Sequence, residues 1–322
     1  MSAVPHEPLL IRTNVRTFSF ARMMTSAAQI IKRKAFGFFL RVAPRTAART
    51  AARWFFTPIR GVPSERMTEF LATGQAFTLA SSTGRIQGWS WGQGAPVYLV
   101  HGWSGRGGQL SAFVQPLVDR GYSVVTFDAP GHGLSEGAGS SLIAFAEVLR
   151  ELVSKFGPAA GVVAHSLGGA AAAHAMRRGV AVPRLVLIGT PAEPARFFHG
   201  FVAHLGLSAS LAEWIKRELE QRIGFVWSEL SFAWMGPRLG TPLLVVHDRG
   251  DKEVPFQDGQ AIADAWPGAR LAATTGLGHR RILHDEGVVS QVVDFISRNE
   301  TQDTKNANES TRSTDTPAKS RR

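Results

Sequence analysis

The stretch Val162-Val163-Ala164-His165-Ser166-Leu167-Gly168-Gly169 constrains this chain more than any other. Apolar, largely β-branched residues enter it and an alanine-rich helical pattern (Ala170 to Met176) leaves it, so Ser166 falls at a strand-to-helix turn. A serine held there projects its hydroxyl off the carboxyl end of a sheet, and the N–H groups that follow face any oxyanion formed beside it. Glycine at 168 and 169 lets strand and helix backbones approach closely. The first glycine of G-x-S-x-G is Ala164 here, one added methyl group. An ordinary Ser-Gly-Gly turn before a helix has the same local pattern. A base, an orienting acid and an oxyanion donor must therefore come from elsewhere in the chain.

The surrounding pattern alternates strand and helix. Ala76–Ala80 and Ile86–Trp91 read as an antiparallel edge around the turn Ser81 to Gly84, and Val97–Val100 as a strand covered on both faces. A helix at Gly108–Arg120, a strand at Ser123–Phe127, a helix at Leu142–Phe156, a strand at Ala160–Ala164, a helix at Ala170–Arg178 and a strand at Leu185–Ile188 follow. After an interruption, Pro242–Val246, Asp258–Trp266, Ala269–Ala273 and Gly287–Ser297 resume the order as strand, helix, strand and helix. This predicts an α/β fold with a mostly parallel central sheet and helices on both faces. The interruption, residues 191–236, is too long for a plain connection and reads as a helical cap insertion with helices near Phe197–Leu205 and Ser210–Ile223. Its Phe197, Phe198, Phe201, Trp214, Phe225, Trp227, Phe232 and Trp234 either line an apolar cleft or fasten the cap down.

Charge divides the chain differently. Of a net +11, residues 1–66 contribute +10 (12 Lys/Arg against 2 Asp/Glu) and residues 297–322 contribute +2 (6 against 4), leaving 67–296 at −1. A neutral body argues against a nucleic-acid-binding module, whose basic surface belongs on the folded domain. The expected organisation is a basic, partly helical N-terminal extension (1–66), a core (67–190 and 237–297), the cap, and a disordered polar tail (298–322). Within the extension, residues 29–56 interleave aromatics with Lys and Arg and hold no uncharged run of spanning length. They read as a helix docked on the body by its aromatic face, as a basic amphipathic helix on an anionic membrane, or as a targeting or partner-binding segment, and Pro44 interrupts any single long helix. No secretory signal pattern is present, so a cytoplasmic location is expected, with peripheral membrane association through 29–56 left open. Cysteine is absent, excluding disulfides and thiolate chemistry. The spacing reveals neither an oligomeric state, a metal-ligand motif nor a cofactor, and the glycines match no phosphate-binding pattern.

Three further features fall at strand ends. His247-Asp248-Arg249-Gly250-Asp251-Lys252-Glu253 offers a carboxylate to hold an imidazole in its useful tautomer. Asp251, in the loop proper, is preferred to Asp248, which is near enough to the strand to serve as a turn or ion-pair residue; Glu253 comes third. Gly278-His279 offers the base. His284 is a weaker candidate, and His165 is expected to pack or hydrogen-bond beneath the turn. His101-Gly102-Trp103-Ser104-Gly105 leaves room for a substrate carbonyl, with the Trp103 N–H joining the Leu167 N–H as oxyanion donors and the Trp103 indole walling an acyl pocket. Ser104 is a nucleophile by type only.

With these residues in place the chain resembles the α/β-hydrolase family over roughly 74–297. The resemblance rests on His101-Gly102-Trp103, Phe127 to Ser135, Ala164 to Gly169, Asp248 to Pro255 and Gly278-His279. It implies that Asp128 and His132 are structural. It also implies a Ser166, Asp251, His279 triad in the chain order of that fold, needing no cofactor or metal. Serine at the elbow disfavours dehalogenase and epoxide-hydrolase chemistry. The resulting expectation is a serine hydrolase cleaving a small-molecule carboxylic ester with an apolar acyl or alcohol group. A thioesterase or acyltransferase, or a non-catalytic binding protein of the same fold, are the alternatives.

Overall fold

The computed structural model describes residues 27–298; residues 1–26 of the extension and 299–322 of the expected tail lie outside it. Helices α1 (Ala27–Val42), α2 (Pro44–Phe55) and α3 (Glu65–Ala72) lead into β1 (Gln75–Ser81), β2 (Gly84–Trp91) and β3 (Pro96–Val100). Then come α4 (Val114–Asp119), β4 (Ser123–Phe127), α5 (Leu142–Phe156), β5 (Gly161–His165), α6 (Leu167–Arg177) and β6 (Leu185–Ile188). Helices α7 (Ala195–His204), α8 (Ala209–Ile223) and α9 (Phe232–Met235) separate β6 from β7 (Leu243–Asp248). The chain closes with α10 (Phe256–Ala265), β8 (Arg270–Thr274), α11 (Gly278–Arg281) and α12 (Glu286–Ser297).

The eight strands form one sheet in the order β1-β2-β4-β3-β5-β6-β7-β8. The β1–β2 and β2–β4 pairs are antiparallel, and all others are parallel. Side chains of β3, β5, β6 and β7 alternate between two cores, as the pleat requires. Tyr98, Val162, Ala164, Leu185, Leu187 and Val245 join α5, α6 and the cap on one face. Leu99, Val163, Val186, Ile188 and Val246 join α12 on the other. These central strands are apolar throughout because both faces are covered.

Several boundaries differ from the sequence expectation for identifiable reasons. The single helix expected at 108–120 is a 3₁₀ segment, Gly107–Phe113, with a kink at Leu110 (φ −97°, ψ 19°), followed by α4. Paired glycines are poor helix formers. His279, for which the sequence reading placed no element, lies on the one-turn helix α11. The sequence reading also passed over α3, which Ser64 caps by accepting the Met67 N–H at 3.3 Å, a contact worth about 1 kcal/mol. Pro44 does divide the N-terminal helices, standing first in α2 where its missing N–H costs no hydrogen bond.

Of the readings of residues 29–56, packing on the body is what α2 shows. Ala47, Ala48 and Ala51 are buried, Phe55 packs on Phe198 and Phe201, and Arg49 pairs with Glu218 at 3.1 Å while lying over Trp214. Helix α1 folds back on α2 through Phe36 and Trp54. No described helix is long and apolar enough to cross a membrane.

Candidate active site

Ser166 sits between β5 and α6 with φ 52° and ψ −125°, one of two non-glycine residues with positive φ among those described. That conformation costs about 1–2 kcal/mol, and strain of this kind, kept by its surroundings, marks functional turns. Close packing enforces it. A Cβ at Gly168 would meet the carbonyls of Val100 and His101, and one at Gly169 would meet Thr190. The methyl group of Ala164 is fully buried in the core, so the departure from the glycine pattern is absorbed there. The Ser166 N–H donates to Ile188 O at 2.9 Å, fixing the turn to the end of β6.

At the neighbouring strand ends, His279 Nδ1 lies 2.7 Å from Asp251 Oδ2, and both side chains are buried. The other oxygen of Asp251 accepts the N–H groups of Glu253 (2.8 Å) and Val254 (2.9 Å), which fixes the carboxylate's orientation. With Nδ1 donating to Asp251, Nε2 of His279 is the nitrogen left to accept a proton. His165 works from behind: its Nε2 donates to His279 O at 2.9 Å, and the two rings stand 4.6 Å apart. Burial, followed by its neighbour His279, holds the His165 pKa well below the usual histidine value, so it stays neutral. The end of β6 neighbours both Ser166 and His279. Gly189, one residue beyond Ile188, lies against the His279–Asp251 pair.

Asp248 has a different task. Its carboxylate accepts the N–H groups of Gly250 (2.9 Å) and Leu277 (3.0 Å) and the Thr274 hydroxyl (2.8 Å), binding the β7 and β8 loops together. Burial alone would raise its pKa; these donors outweigh it and leave the value lowered. Glu253 ties the same two loops through Arg280 at 3.1 Å. His284 is exposed in the turn before α12.

The loop after β3 is carried by two histidines. His101 Nε2 accepts the Ala129 N–H and His132 Nε2 accepts the Ser104 N–H, each at 3.0 Å. Their Nδ1 atoms donate to Gly102 O (2.7 Å) and Pro130 O (2.9 Å). Burial lowers their pKa values to about 4 and about 3, as acceptor nitrogens require. Asp128 accepts the N–H groups of Gly107 and Leu134, both at 2.8 Å. This frame sets Ser104 at φ 54° and places Trp103 edge-on to His132. Leu167 opens α6, in the helical turn whose N–H groups have no partner within the helix. The Ser104 hydroxyl accepts the Ile59 N–H at 3.0 Å.

Ser166, Leu167, Trp103 and Ser104 line a cavity of about 360 Å³. The cap aromatics divide over it. Phe197, Phe201, Phe225 and Trp227 face the cavity. Phe232 is buried against Trp266, Trp234 lies between Arg177 and Arg238, and Phe198 stacks on Trp227. The remaining wall was not foreseen: Trp54, Phe55, Phe56, Ile59 and Gly61 come from the N-terminal extension and its connector. Arg60 pins that connector to Gly131 O (2.9 Å) and Gly137 O (2.6 Å), and Arg106 holds Gly61 O. The density of aromatics immediately before Pro58 was the one signal of it in the sequence. Among the described residues no three His, Asp or Glu side chains cluster so as to hold a metal ion.

The alpha/beta hydrolase family profile matches residues 97–291, more than half of the 322 residues, and the chain belongs to that family. Over 82 residues it is 37% identical to the non-heme chloroperoxidase of Kitasatospora aureofaciens, covering 24% of this chain and 30% of that one. Over 128 residues it is 38% identical to the pimeloyl-[acyl-carrier protein] methyl ester esterase of Methylococcus capsulatus, covering 35% of this chain and 49% of the relative. The chain thus spans less than half the length of these curated relatives. Among solved structures, an esterase from Exiguobacterium antarcticum shares the fold with a TM-score of 0.54 at 16% identity, covering 70% of this chain and all of that one.

Proposed function

We propose that this protein is a serine hydrolase that cleaves carboxylic esters with an apolar acyl or alcohol group. The observation that carries the reading is Ser166, held at a strained elbow in the wall of a mainly apolar cavity, with the His279–Asp251 pair at the adjoining strand ends. In this reading Ser166 Oγ attacks the ester carbonyl while His279 Nε2 takes its proton, and Asp251 stabilises the imidazolium. The N–H groups of Trp103 and Leu167 receive the tetrahedral oxyanion. Collapse expels the alkoxide, which takes the proton from His279 and leaves an acyl group on Ser166. Water, deprotonated by His279, then attacks that acyl group; the second collapse breaks the bond to Ser166 Oγ, which takes the proton back from His279, and the carboxylic acid leaves. A relative named as a methyl ester esterase supports the ester bond.

A fluorophosphonate probe is expected to label Ser166 alone, and Ser166→Ala should lose activity by several orders of magnitude. Along a series of p-nitrophenyl acyl esters, kcat/KM should rise until the cavity is filled, each buried CH₂ contributing about 0.8 kcal/mol. Label on another residue, or turnover surviving Ser166→Ala, overturns the assignment. A profile falling from acetate onward overturns the apolar substrate. A preference for thioesters or amides at equal acyl length moves the leaving group.

A further inference from the structure

Residues 27–63 carry eight Lys/Arg and no Asp or Glu. Within the folded part of that segment, Arg49 is paired to α8 and Arg60 is spent on loop carbonyls. Arg41, Arg45 and Arg53 stand exposed. Interleaved with them are most of the large exposed apolar side chains among the described residues: Phe38 and Val42 (67% each), Trp54 (45%), Ile59 (51%) and Val62 (94%). Phe38 and Val42 are one helical turn apart on α1, opposite the buried Phe36, with Arg41 beside them. Such exposure is costly in water unless something covers it. Trp54 and Ile59 are at the same time walls of the cavity that contains Ser166.

We propose that this face, α1 with the lip formed by Trp54, Ile59 and Val62, docks on an anionic lipid bilayer, so that the cavity opens against the membrane. The occupant follows from the chemistry of the patch. Single-sign basic charge calls for an anionic partner, and aliphatic and aromatic side chains among the arginines enter the headgroup boundary, which a nucleic-acid backbone would leave wet. The body of the protein is close to neutral, so most of the net positive charge, +8 of +11, lies in this segment and favours one orientation of the molecule. No described helix can span a bilayer, which makes the contact peripheral. Esters would then reach Ser166 from the lipid phase past Trp54 and Ile59. That consequence rests on the hydrolase reading; the docking itself does not.

Flotation of the full chain with phosphatidylcholine vesicles, with and without phosphatidylglycerol, tests the proposal. Binding is expected only with phosphatidylglycerol present and should weaken as salt is raised. The combined change Arg41→Glu, Arg45→Glu and Arg53→Glu should weaken it by about 100-fold or more, with turnover of a soluble short-chain ester unchanged. Phe38→Ser with Val42→Ser should weaken it with the charges intact. Ser166→Ala should bind vesicles as the parent does, so a failed hydrolase assignment leaves this result standing. Equal binding to neutral vesicles, no vesicle binding, binding to nucleic acid in its place, or a dimer that buries Phe38 and excludes vesicles would each overturn the proposal.

Discussion

Lowering the pH from about 8 to about 5 is expected to destabilise this fold through His101 and His132, whose unprotonated Nε2 atoms hold the loop carrying Trp103. Burial, the first cause for both, lowers their folded pKa values to about 4 and about 3, against roughly 6.5 in an unfolded chain. Between those values the unfolded chain binds more protons than the folded one. Stability therefore rises with pH across this window, and it is lost as pH falls below the unfolded value. At about pH 5 each unfolded imidazole has gained its proton while the folded one has not. The difference of roughly 1.5 pH units amounts to about 2 kcal/mol per histidine. That figure hardly depends on how far below 5 the folded value lies. His165 and His247, also lowered by burial, act in the same direction. Asp128, raised by burial, acts in the opposite one.

Because these contributions overlap, the decisive measurement is a difference. Urea unfolding should be followed at several pH values for the parent and for His132→Gln, whose longer side chain carries its amide oxygen to the level of Nε2, where the Ser104 N–H donates. Removing one titrating group should flatten the slope between about pH 6 and 4.5 by roughly 1.4 kcal/mol per pH unit. A variant with the parental slope, or a parent whose stability does not fall on acidification, would refute the reasoning.

Asp251→Asn should fold normally yet lose about 10⁴ in kcat, because the amide neither stabilises the imidazolium nor holds the tautomer. Asp248→Asn should lower Tm, through about 1–3 kcal/mol of weakened loop contacts, while leaving most of kcat; the opposite ranking in paired kcat and Tm measurements refutes both roles. In Gly189→Ala the new methyl would stand 3.2 Å from His279 Nδ1 and 3.4 Å from Asp251 Oδ2, at a φ of +56°. It should cost about 1 kcal/mol of stability and reduce kcat by roughly 10- to 100-fold with KM little changed, and an unchanged kcat would show that the pair tolerates displacement.

Most of the sheet was legible because its signals are local. Val97–Val100, Ser123–Phe127 and Leu185–Ile188 are short, largely apolar and β-branched runs of strand length, and the structure has strands there. The residues at their carboxyl ends were legible for a related reason: a parallel sheet brings the ends of β3, β5, β6, β7 and β8 to one edge whatever the loops do. The choice between Asp251 and Asp248 was harder, since the two stand three residues apart at the end of β7. The sequence favoured Asp251 only by its place in the loop; the structure sets its carboxylate on His279, and that of Asp248 on the Leu277 and Gly250 backbone.

The N-terminal wall was illegible for the converse reason. Residues 44–61 meet the site through contacts separated by 45 residues (Ile59 to Ser104), 71 residues (Arg60 to Gly131) and 169 residues (Arg49 to Glu218). No periodicity within the segment encodes such pairings. An alanine stripe flanked by arginines and aromatics serves equally for a helix on a protein and a helix on a membrane. In this chain the two sides of the segment differ in exposure. Ala47, Ala48, Ala51 and Phe55 are turned inward against the cap, while Phe38, Arg41, Val42 and Arg53 are turned outward. The inward side carries the docking seen here, and the outward side is the one proposed above to meet a bilayer. Trp54, in contact with Phe36, exposed at its edge and present in the cavity wall, is where the two sides meet.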